Sequence, residues 1–216
     1  RYSISSSNER GARAGPRMAS LEISELRFGE MGPVTLALAE GECVCLCGPS
    51  GGGKSRLLRA VVDLDPHEGS VRVGQIEARE VAPPRWRRMV GYLPAESHWW
   101  RPTVGEHFTL DVSEWLARVG FGPEVLGWSI DRLSSGEKQR LALVRLLVLE
   151  PEALLLDEPT ANLDPANVEA VERLIASIRV ERRIPVLWVT HDEAQARRVG
   201  ARTVTMRDGR LHEEEA

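Results

Sequence analysis

One short run of residues has the composition and spacing of a loop that binds phosphate groups. It follows an apolar stretch, Cys43–Cys47, and precedes a stretch with helical periodicity that begins at Lys54. Glycines let successive backbone N–H groups converge on phosphate oxygens at the positive end of a helix dipole. Lys54 is placed to reach the β and γ phosphates and Ser55 to ligate Mg²⁺, whereas an incidental glycine-rich turn leaves this context unexplained. The run fits the pattern GxxxxGK(S/T) and comprises Gly48, Pro49, Ser50, Gly51, Gly52, Gly53, Lys54 and Ser55.

Two adjacent carboxylates end a second apolar stretch further along the chain. Residues 153–156 are apolar and are followed by Asp157 and Glu158. The carboxyl ends of parallel strands border the nucleotide crevice, so we expect this acid pair beside the glycine-rich turn. Asp157 suits Mg²⁺, directly or through water, and Glu158 suits a general base that polarises the attacking water. The alternative is that both acids cap the turn at Pro159.

The hydrophobic pattern predicts an α/β fold that can position these groups. Residues 21–28 and 34–38 alternate apolar and polar side chains, which is typical of a half-exposed antiparallel annex. The continuously apolar strands that follow alternate with helices, which predicts a mostly parallel sheet flanked by helices. Residues 96–132 break this alternation and predict a short inserted helical lobe. The predicted strands are 43–47, 70–73, 89–93, 153–156 and 186–189, and the predicted helices are 54–62, 135 onward, 165–180 and 193–199.

Composition limits the partners of the chain. The formal charge is −4 and 42 % of the 216 residues are apolar, so no strongly basic face of the kind that binds nucleic acid is indicated. No apolar run approaches the ~20 residues needed to cross a bilayer, so transport would need another chain. Residues 1–17 predict a disordered leader, and residues 18–216 a single domain. Cys43, Cys45 and Cys47 share one strand face, where small buried hydrophobes explain them better than a three-thiolate metal site.

The stretch Leu133-Ser-Ser-Gly-Glu-Lys-Gln-Arg140 closely resembles the LSGGQ signature of the ATP-binding cassette family. Asn162-Leu-Asp164 is similar to the D-loop of that family. The resemblance covers about nine-tenths of the chain and implies that two copies, head to tail, sandwich two ATP molecules. It implies that one copy binds the γ-phosphate held by the other, although a helix N-cap is a second role that Ser134 or Ser135 can fill. The residues implied to act in trans are Ser134, Ser135, Gly136, Glu137 and Asp164.

The resemblance implies roles for two aromatic residues. His191, after the strand 186–189, resembles the switch histidine that holds the γ-phosphate and attacking water, although a lone histidine is more often an ordinary exposed loop residue. Phe28 resembles the aromatic residue that stacks on adenine, for which the alternative is a core aromatic on a strand. The cofactors implied are ATP and Mg²⁺.

Three positions depart from the family pattern, and two adjacent tryptophans mark a surface. Arg56 stands where the family usually has Thr, which puts its α-phosphate contact in question, and Ser135 replaces the first signature Gly. At the position of the family's Q-loop Gln the chain has Ala95, so Glu96 becomes the candidate for a Mg²⁺ ligand, with a solvent-exposed side chain as the alternative. The resemblance places Trp99 and Trp100 beside the groove in which relatives bind a membrane subunit, although adjacent tryptophans more often divide between the core and the surface.

The function implied is an ATP-hydrolysing transporter motor. It would act as a homodimer or pseudo-dimer, peripheral on the cytoplasmic face of the cell membrane, and bind an integral membrane transporter subunit. A P-loop small-molecule kinase leaves the signature and His191 without a role, and non-transport cassettes carry long coiled coils or two cassettes in one chain. The compact lobe and residues 137–140 and 186–191 also resemble small stand-alone cassettes of the iron-export type.

Overall fold

The computed structural model describes residues 20–200 and 202–213, which form two sheets covered by helices. The predicted leader, residues 1–17, and the predicted domain start at residue 18 lie outside the described residues. Within these ranges no helix combines the length and apolar composition needed to cross a bilayer. The fold class predicted from the sequence is confirmed, and the domain boundaries remain a prediction.

The first sheet is the antiparallel annex. Its order is β2-β1-β4-β5, and β1 pairs with both β2 and β4. Alternate side chains of β1 are buried, as the sequence pattern requires for a sheet with one wet face. The annex strands are β1 Leu21–Phe28, β2 Met31–Leu38, β4 Glu68–Val73 and β5 Ile76–Glu77.

The second sheet carries the chemistry. Its order is β10-β9-β3-β8-β7-β6; every neighbouring pair is parallel except β9 and β10, which form a terminal hairpin. Strands β7 and β8 are buried along their whole length, which explains why they read as continuous apolar runs. The strands are β3 Cys43–Cys47, β6 Val90–Leu93, β7 Ala153–Asp157, β8 Val186–Val189, β9 Arg202–Arg207 and β10 Arg210–Glu213.

Helices cover both faces of this sheet. Alternate side chains of β3 enter two cores: Cys43 and Cys45 pack with α4, α5 and the lobe, whereas Val44 and Leu46 pack with α1 and the annex. The segment predicted as a helical lobe contains one short α-helix and three 3-10 turns, at Gly105–His107, Pro123–Gly127 and Ile130–Arg132. The helices are α1 Lys54–Val61, α2 Pro83–Met89, α3 Ser113–Arg118, α4 Ser135–Leu147, α5 Pro165–Arg182 and α6 Glu193–Val199.

Helix α2 is the main element that the sequence analysis missed. Its seven residues are too short for a clear apolar period, although Pro83 at the first turn is a recognisable start signal. Trp86 anchors it: the side chain is fully buried and its Nε1 donates a hydrogen bond to the Val61 carbonyl at 2.9 Å. The two-residue strand β5 was also missed, and the predicted strands and helices that do occur differ from the observed ones by at most three residues at their ends.

Candidate functional site

The phosphate loop, residues 48–55, joins β3 to α1 in the strand–turn–helix context that the sequence predicts. Gly48 has φ 135°, and a Cβ there would lie 2.2 Å from the carbonyl oxygen of Met206, so only glycine fits. The Lys54 ammonium is buried in the loop, where its Nζ donates to the Gly48 and Pro49 carbonyls at 2.8 and 2.9 Å. Since an ammonium carries three N–H donors, these two hydrogen bonds leave a third N–H that can donate to a phosphate oxygen.

The acid pair ends β7 at the same edge of the sheet. Asp157 is buried, and its carboxylate is hydrogen-bonded by the Ser55 hydroxyl and, at 3.4 Å, by the Tyr92 hydroxyl. Burial raises the pKa of Asp157 above its ordinary value, with a smaller opposing effect from the Ser55 hydrogen bond. Tyr92 was not identified from the sequence, where it reads simply as an apolar strand residue.

Glu158 has an unusual backbone. Its φ is 47°, in the left-handed region that non-glycine residues rarely occupy, and its N–H donates to the Val189 carbonyl at 3.1 Å. Its carboxylate Oε2 lies 3.4 Å from Nδ1 of His191. The His191 ring is 71 % exposed, so it faces the open side of the site. Such strain is concentrated at functional positions, which fits the role predicted for Glu158.

A buried polar network, which the sequence analysis did not find, lies next to His191. Gln195 is its centre: Nε2 donates to Oγ1 of Thr160 and Oε1 of Glu172, each at 2.9 Å. The Thr190 hydroxyl donates to Oε1 of Gln195 at 2.8 Å. The network ties the end of β8 to the segment after Glu158 and to α5. The available sequence signal was a threonine placed shortly after each of two fully buried strands.

The signature segment begins α4 with reciprocal capping bonds. The Ser134 hydroxyl and backbone N–H both donate to Oε2 of Glu137 at 2.8 Å, and the Glu137 N–H donates back to the Ser134 hydroxyl at 3.2 Å. These bonds lower the pKa of Glu137. Ser134 and Ser135 are both exposed. The N-cap role considered from the sequence is therefore present, and it leaves this helix end open to a second molecule.

The D-loop packs directly against the signature. A Cβ on the buried Gly136 would lie 2.7 Å from the Asn162 carbonyl oxygen, so the two segments approach as closely as a glycine allows. Asp164 caps α5 by accepting the Asn167 N–H at 3.1 Å. Both segments expected to act in trans thus sit side by side on one surface.

Phe28 and Arg56 come together at a separate recess. Phe28 is 2 % exposed and belongs to the annex core, as its alternative role predicts. It also lines a recess of about 240 Å³ with Gly29 and Arg56. The Arg56 guanidinium lies on Gly29, where an added Cβ would be 2.3 Å from Nη2. Because so little of the Phe28 side chain is accessible, only an edge of its ring can contact adenine in this conformation. Stacking of Phe28 on adenine stays a prediction.

Glu96 is exposed in the loop after β6. The same loop is hydrogen-bonded at Pro94 instead. Nε2 of the buried Gln139, on α4, donates to the Pro94 carbonyl at 2.9 Å. The bond joins the loop after β6 to the signature helix. Glu96 as a Mg²⁺ ligand remains a prediction with no described contact in its support.

The residues at the sheet edge fit a magnesium ion bound with nucleotide. Asp157 is a buried carboxylate whose ionised form is disfavoured by burial, and the Ser55 hydroxyl lies against it. In the described part of the chain no three His, Cys, Asp or Glu side chains cluster as a metal site, the three cysteines included. The ion would therefore take its other ligands from phosphate and water, as Mg²⁺ usually does.

Comparison with known proteins identifies the family. Residues 31–161 match the family described as ABC transporter. The aliphatic sulfonates import ATP-binding protein SsuB 2 of Frankia alni is 39 % identical, over 91 % of this chain and 81 % of that protein. The Fe(3+) ions import ATP-binding protein FbpC of Streptomyces coelicolor is 36 % identical over 91 % of this chain, which spans 61 % of its length. A dimeric ATP-binding cassette in a post-hydrolysis state, bound to ADP and phosphate, superposes with a TM-score of 0.78 at 26 % identity, over 90 % of this chain and 97 % of that one.

The chain therefore belongs to the ABC transporter family. It is an ATP-binding cassette subunit, an ATPase with ATP and Mg²⁺ as its cofactors. The predicted family, fold class and activity are confirmed, and neither the kinase nor the non-transport alternative is favoured by these relatives. The resemblance to an iron-export type is not confirmed, because the relatives named above are import proteins.

We expect Asp157→Asn to stabilise the nucleotide-free chain at pH 7. The pKa of Asp157 is higher in the folded chain than in the unfolded chain. Its contribution to the free energy of unfolding is therefore fully present below the unfolded pKa of about 3.9 and is lost as pH rises through the folded pKa. Asn removes this loss, and each 1 kcal/mol gained raises the Tm by about 2–4 °C. Urea unfolding of both variants at pH 7 and near pH 4 measures the difference, which should shrink at the lower pH.

Asp131→Asn, at an exposed position, is the matched control and should show no such pH-dependent gain. With MgATP the order should reverse, because the wild-type carboxylate gains a cation and Asn does not. A stabilisation by Asp157→Asn that is equal at both pH values would contradict the burial argument.

Proposed function

We propose that the chain is the motor of an ABC importer and that its catalytic sites form between two cassettes. The observation that carries this proposal is the division of the site into two surfaces. Lys54, Asp157 and Glu158 gather at the carboxyl edge of the parallel sheet, whereas the exposed helix start at Ser134 bonds within its own segment. A second copy, placed head to tail, brings such a helix start to the phosphate loop.

Within one cassette, each side chain has a defined task. The loop N–H groups and Lys54 hold the phosphates, and Ser55 and Asp157 supply the protein oxygens for Mg²⁺, which when bound neutralises phosphate charge. Glu158 accepts the proton of the attacking water as general base. His191, 3.4 Å from Glu158, orients that carboxylate and faces the γ-phosphate position. The network around Gln195 fixes the strand end that carries His191.

In the dimer, Ser134, Ser135 and Gly136 present a hydroxyl and backbone N–H groups to the γ-phosphate of the partner. In the single chain the Ser134 hydroxyl donates a hydrogen bond to Oε2 of Glu137, with 2.8 Å between the two oxygens. Binding in trans therefore requires the hydroxyl to turn from this carboxylate to the phosphate. Asp164, beside the signature, reaches the partner's site from the same surface. Arg56 and Phe28 are the further nucleotide contacts of this proposal, and Glu96 is its further Mg²⁺ ligand.

The membrane subunit is proposed to dock on a groove of about 320 Å³ beside the lobe. Trp100, Leu110 and Leu149 line it and are 67 %, 58 % and 50 % exposed, an apolar patch of the kind that marks an interface. Trp99 is half-buried, so the adjacent tryptophans divide between core and surface. The Arg145 guanidinium lies between them, 4.5 and 4.7 Å from the two rings, which fixes the exposed ring.

Import is the direction proposed, because the curated relatives reported above are named for import. They are named for different substrates, an aliphatic sulfonate and Fe(3+) ions. The transported substrate is accordingly assigned to the membrane and binding subunits rather than to this chain. The cassette itself would lie on the cytoplasmic face of the cell membrane, held there by its partner.

Glu158→Gln should retain ATP binding but lower the rate of hydrolysis by about 10²–10⁴-fold, since a positioned base is removed. Unhydrolysed nucleotide should then hold the dimer together. Size-exclusion chromatography with light scattering in MgATP should show dimer for Glu158→Gln and monomer without nucleotide. Glu114→Gln, at an exposed position on α3, is the control and should leave the rate unchanged. A Glu158→Gln variant that binds ATP and stays monomeric would argue against the sandwich.

Two inactive variants should restore activity to each other when mixed. Lys54→Ala removes the cation of the phosphate loop, whereas Ser134→Arg spares the loop and blocks the surface that acts in trans. A mixed dimer contains one intact site, formed by the phosphate loop of the Ser134→Arg chain and the signature of the Lys54→Ala chain. ATPase assays of each variant and of an equimolar mixture measure this. No recovery in the mixture, with both variants folded, would contradict a composite site.

Trp100→Ala should weaken binding to the membrane subunit by about tenfold or more, as expected for a large aromatic anchor, while leaving the ATPase activity of the free cassette unchanged. The measurement is co-purification of the cassette with its membrane subunit. Val180→Ala, at a position on α5 that is 69 % exposed, is the control. Equal co-purification of the two variants would remove the groove from the docking surface.

A further inference from the structure

An exposed guanidinium lies just before the signature serine. Arg132 ends the last 3-10 turn of the lobe, Ile130–Arg132, and Ser134 follows as the cap of α4. The Arg132 side chain is exposed, and its guanidinium has no hydrogen-bond or ion-pair partner among the described residues. Its charge is therefore available to an anion that approaches this surface from outside the chain.

An aromatic stack fixes the position of this guanidinium. The Arg132 Cζ lies 3.8 Å from the ring centroid of Trp128, which is half-buried. The Trp128 ring meets the Phe121 ring edge to face, with 6.4 Å between centroids, and the Arg140 guanidinium lies over Phe121 at 4.4 Å. Arg140 belongs to α4, so the stack ties Arg132 to the helix that begins with the signature. A guanidinium already held on an indole loses less side-chain freedom when it binds a ligand.

Carboxylates surround the helix start at Ser134. Glu137 accepts the Ser134 hydroxyl, Asp131 is exposed one turn before, and Asp164 is exposed in the D-loop, which packs against the signature. A triphosphate that binds this helix start in trans brings several negative charges towards these groups, and like charges repel. Such a surface requires a cation that can meet the nucleotide.

Two arginines carry positive charge near Glu137. The pKa of Glu137 is lowered chiefly by its hydrogen bonds with Ser134, and further by the charges of Arg140 and Arg132. The Arg140 guanidinium is half-buried and donates to the Val119 carbonyl. Arg132 is exposed, so it is the arginine of this pair that can contact a ligand.

We propose that Arg132 binds the triphosphate of the partner cassette's nucleotide in trans, beside the signature helix start. The planar guanidinium can donate to two phosphate oxygens together, while the start of α4 supplies backbone N–H groups. Its positive charge offsets that of Glu137 and lets the phosphate approach the Ser134 hydroxyl. The proposal rests on the composite site proposed above and adds to it a residue outside the signature stretch, residues 133–140.

The mixture of Lys54→Ala and Ser134→Arg chains tests this role, because its intact site uses the signature of the Lys54→Ala chain alone. Arg132→Ala in that chain should lower the ATPase rate of the mixture by about tenfold or more, since a charged hydrogen bond is lost. The same change in the Ser134→Arg chain falls beside a signature that is already blocked and should cost no further activity. Arg88→Ala, exposed on α2, is the control in the Lys54→Ala chain and should leave the rate of the mixture unchanged.

Two further variants, both in the Lys54→Ala chain, separate charge from packing. Arg132→Met keeps an unbranched side chain that can pack on Trp128 but carries no charge, so it should lower the rate as Arg132→Ala does. Arg132→Lys keeps the charge without the planar donor group and should recover part of the lost rate. Thermal unfolding of each chain checks that it is folded, and Arg132→Met replaces Arg132→Ala in both chains if the latter does not fold.

An equal loss with the change in either chain, or no loss in both, would overturn the role of Arg132. Full activity of Arg132→Met, or Arg132→Lys no more active than Arg132→Met, would overturn it as well, because the guanidinium charge would then not be what acts. A mixture that shows no activity even with Arg132 intact in both folded chains would contradict the composite site, and this proposal with it. Failure of the proposed function is thus distinguishable from failure of the Arg132 contact alone.

Discussion

The parallel arrangement of four strands is the constraint on which the site depends. Because β3, β6, β7 and β8 run in one direction, the loops that follow them emerge at one edge of the sheet. This edge receives the phosphate loop, the acid pair, His191 and the loop that carries Glu96. The chain contributes them from four distant segments, and none could approach another without the hydrogen-bonded sheet. Burial of Lys54 and Asp157 at this edge then makes a charged ligand the natural complement.

Helix starts provide the second level of organisation. Ser134, Asp164 and Asp192 cap α4, α5 and α6, so two residues predicted to act on nucleotide, Ser134 and Asp164, also stabilise helices. The two roles compete at Ser134, whose hydroxyl donates a hydrogen bond to Glu137, whereas Asp192 caps α6 and leaves its neighbour His191 exposed. This sharing links nucleotide binding to helix position. The bond from Gln139 to the Pro94 carbonyl extends the link to the loop after β6 and so to the groove beside the lobe.

The sequence predicted the elements with strong local signals and missed those that depend on tertiary contacts. Strands β1, β3 and β8 and helix α6 were predicted at their observed bounds, since period and flanking turns define them. Helix α2 and the Tyr92 contact with Asp157 were missed because short or partly buried elements carry no clear period. The Gln195 network joins residues up to 35 positions apart, and no spacing rule anticipates it. Phe28 combines both of the roles weighed from the sequence: it packs in the annex core and lines a recess with Arg56, so its contact with adenine stays a prediction.

Hydrolysis is proposed to require two copies of this chain. The direct measurement is the initial rate of ATP hydrolysis per mole of chain, at saturating MgATP, over a range of chain concentrations below and above the dimerisation midpoint. A site completed by a second copy predicts that the rate per mole rises with concentration and then reaches a plateau, with light scattering showing dimer over the same range. A rate per mole that stays constant while the chain remains monomeric would contradict a site shared between two copies.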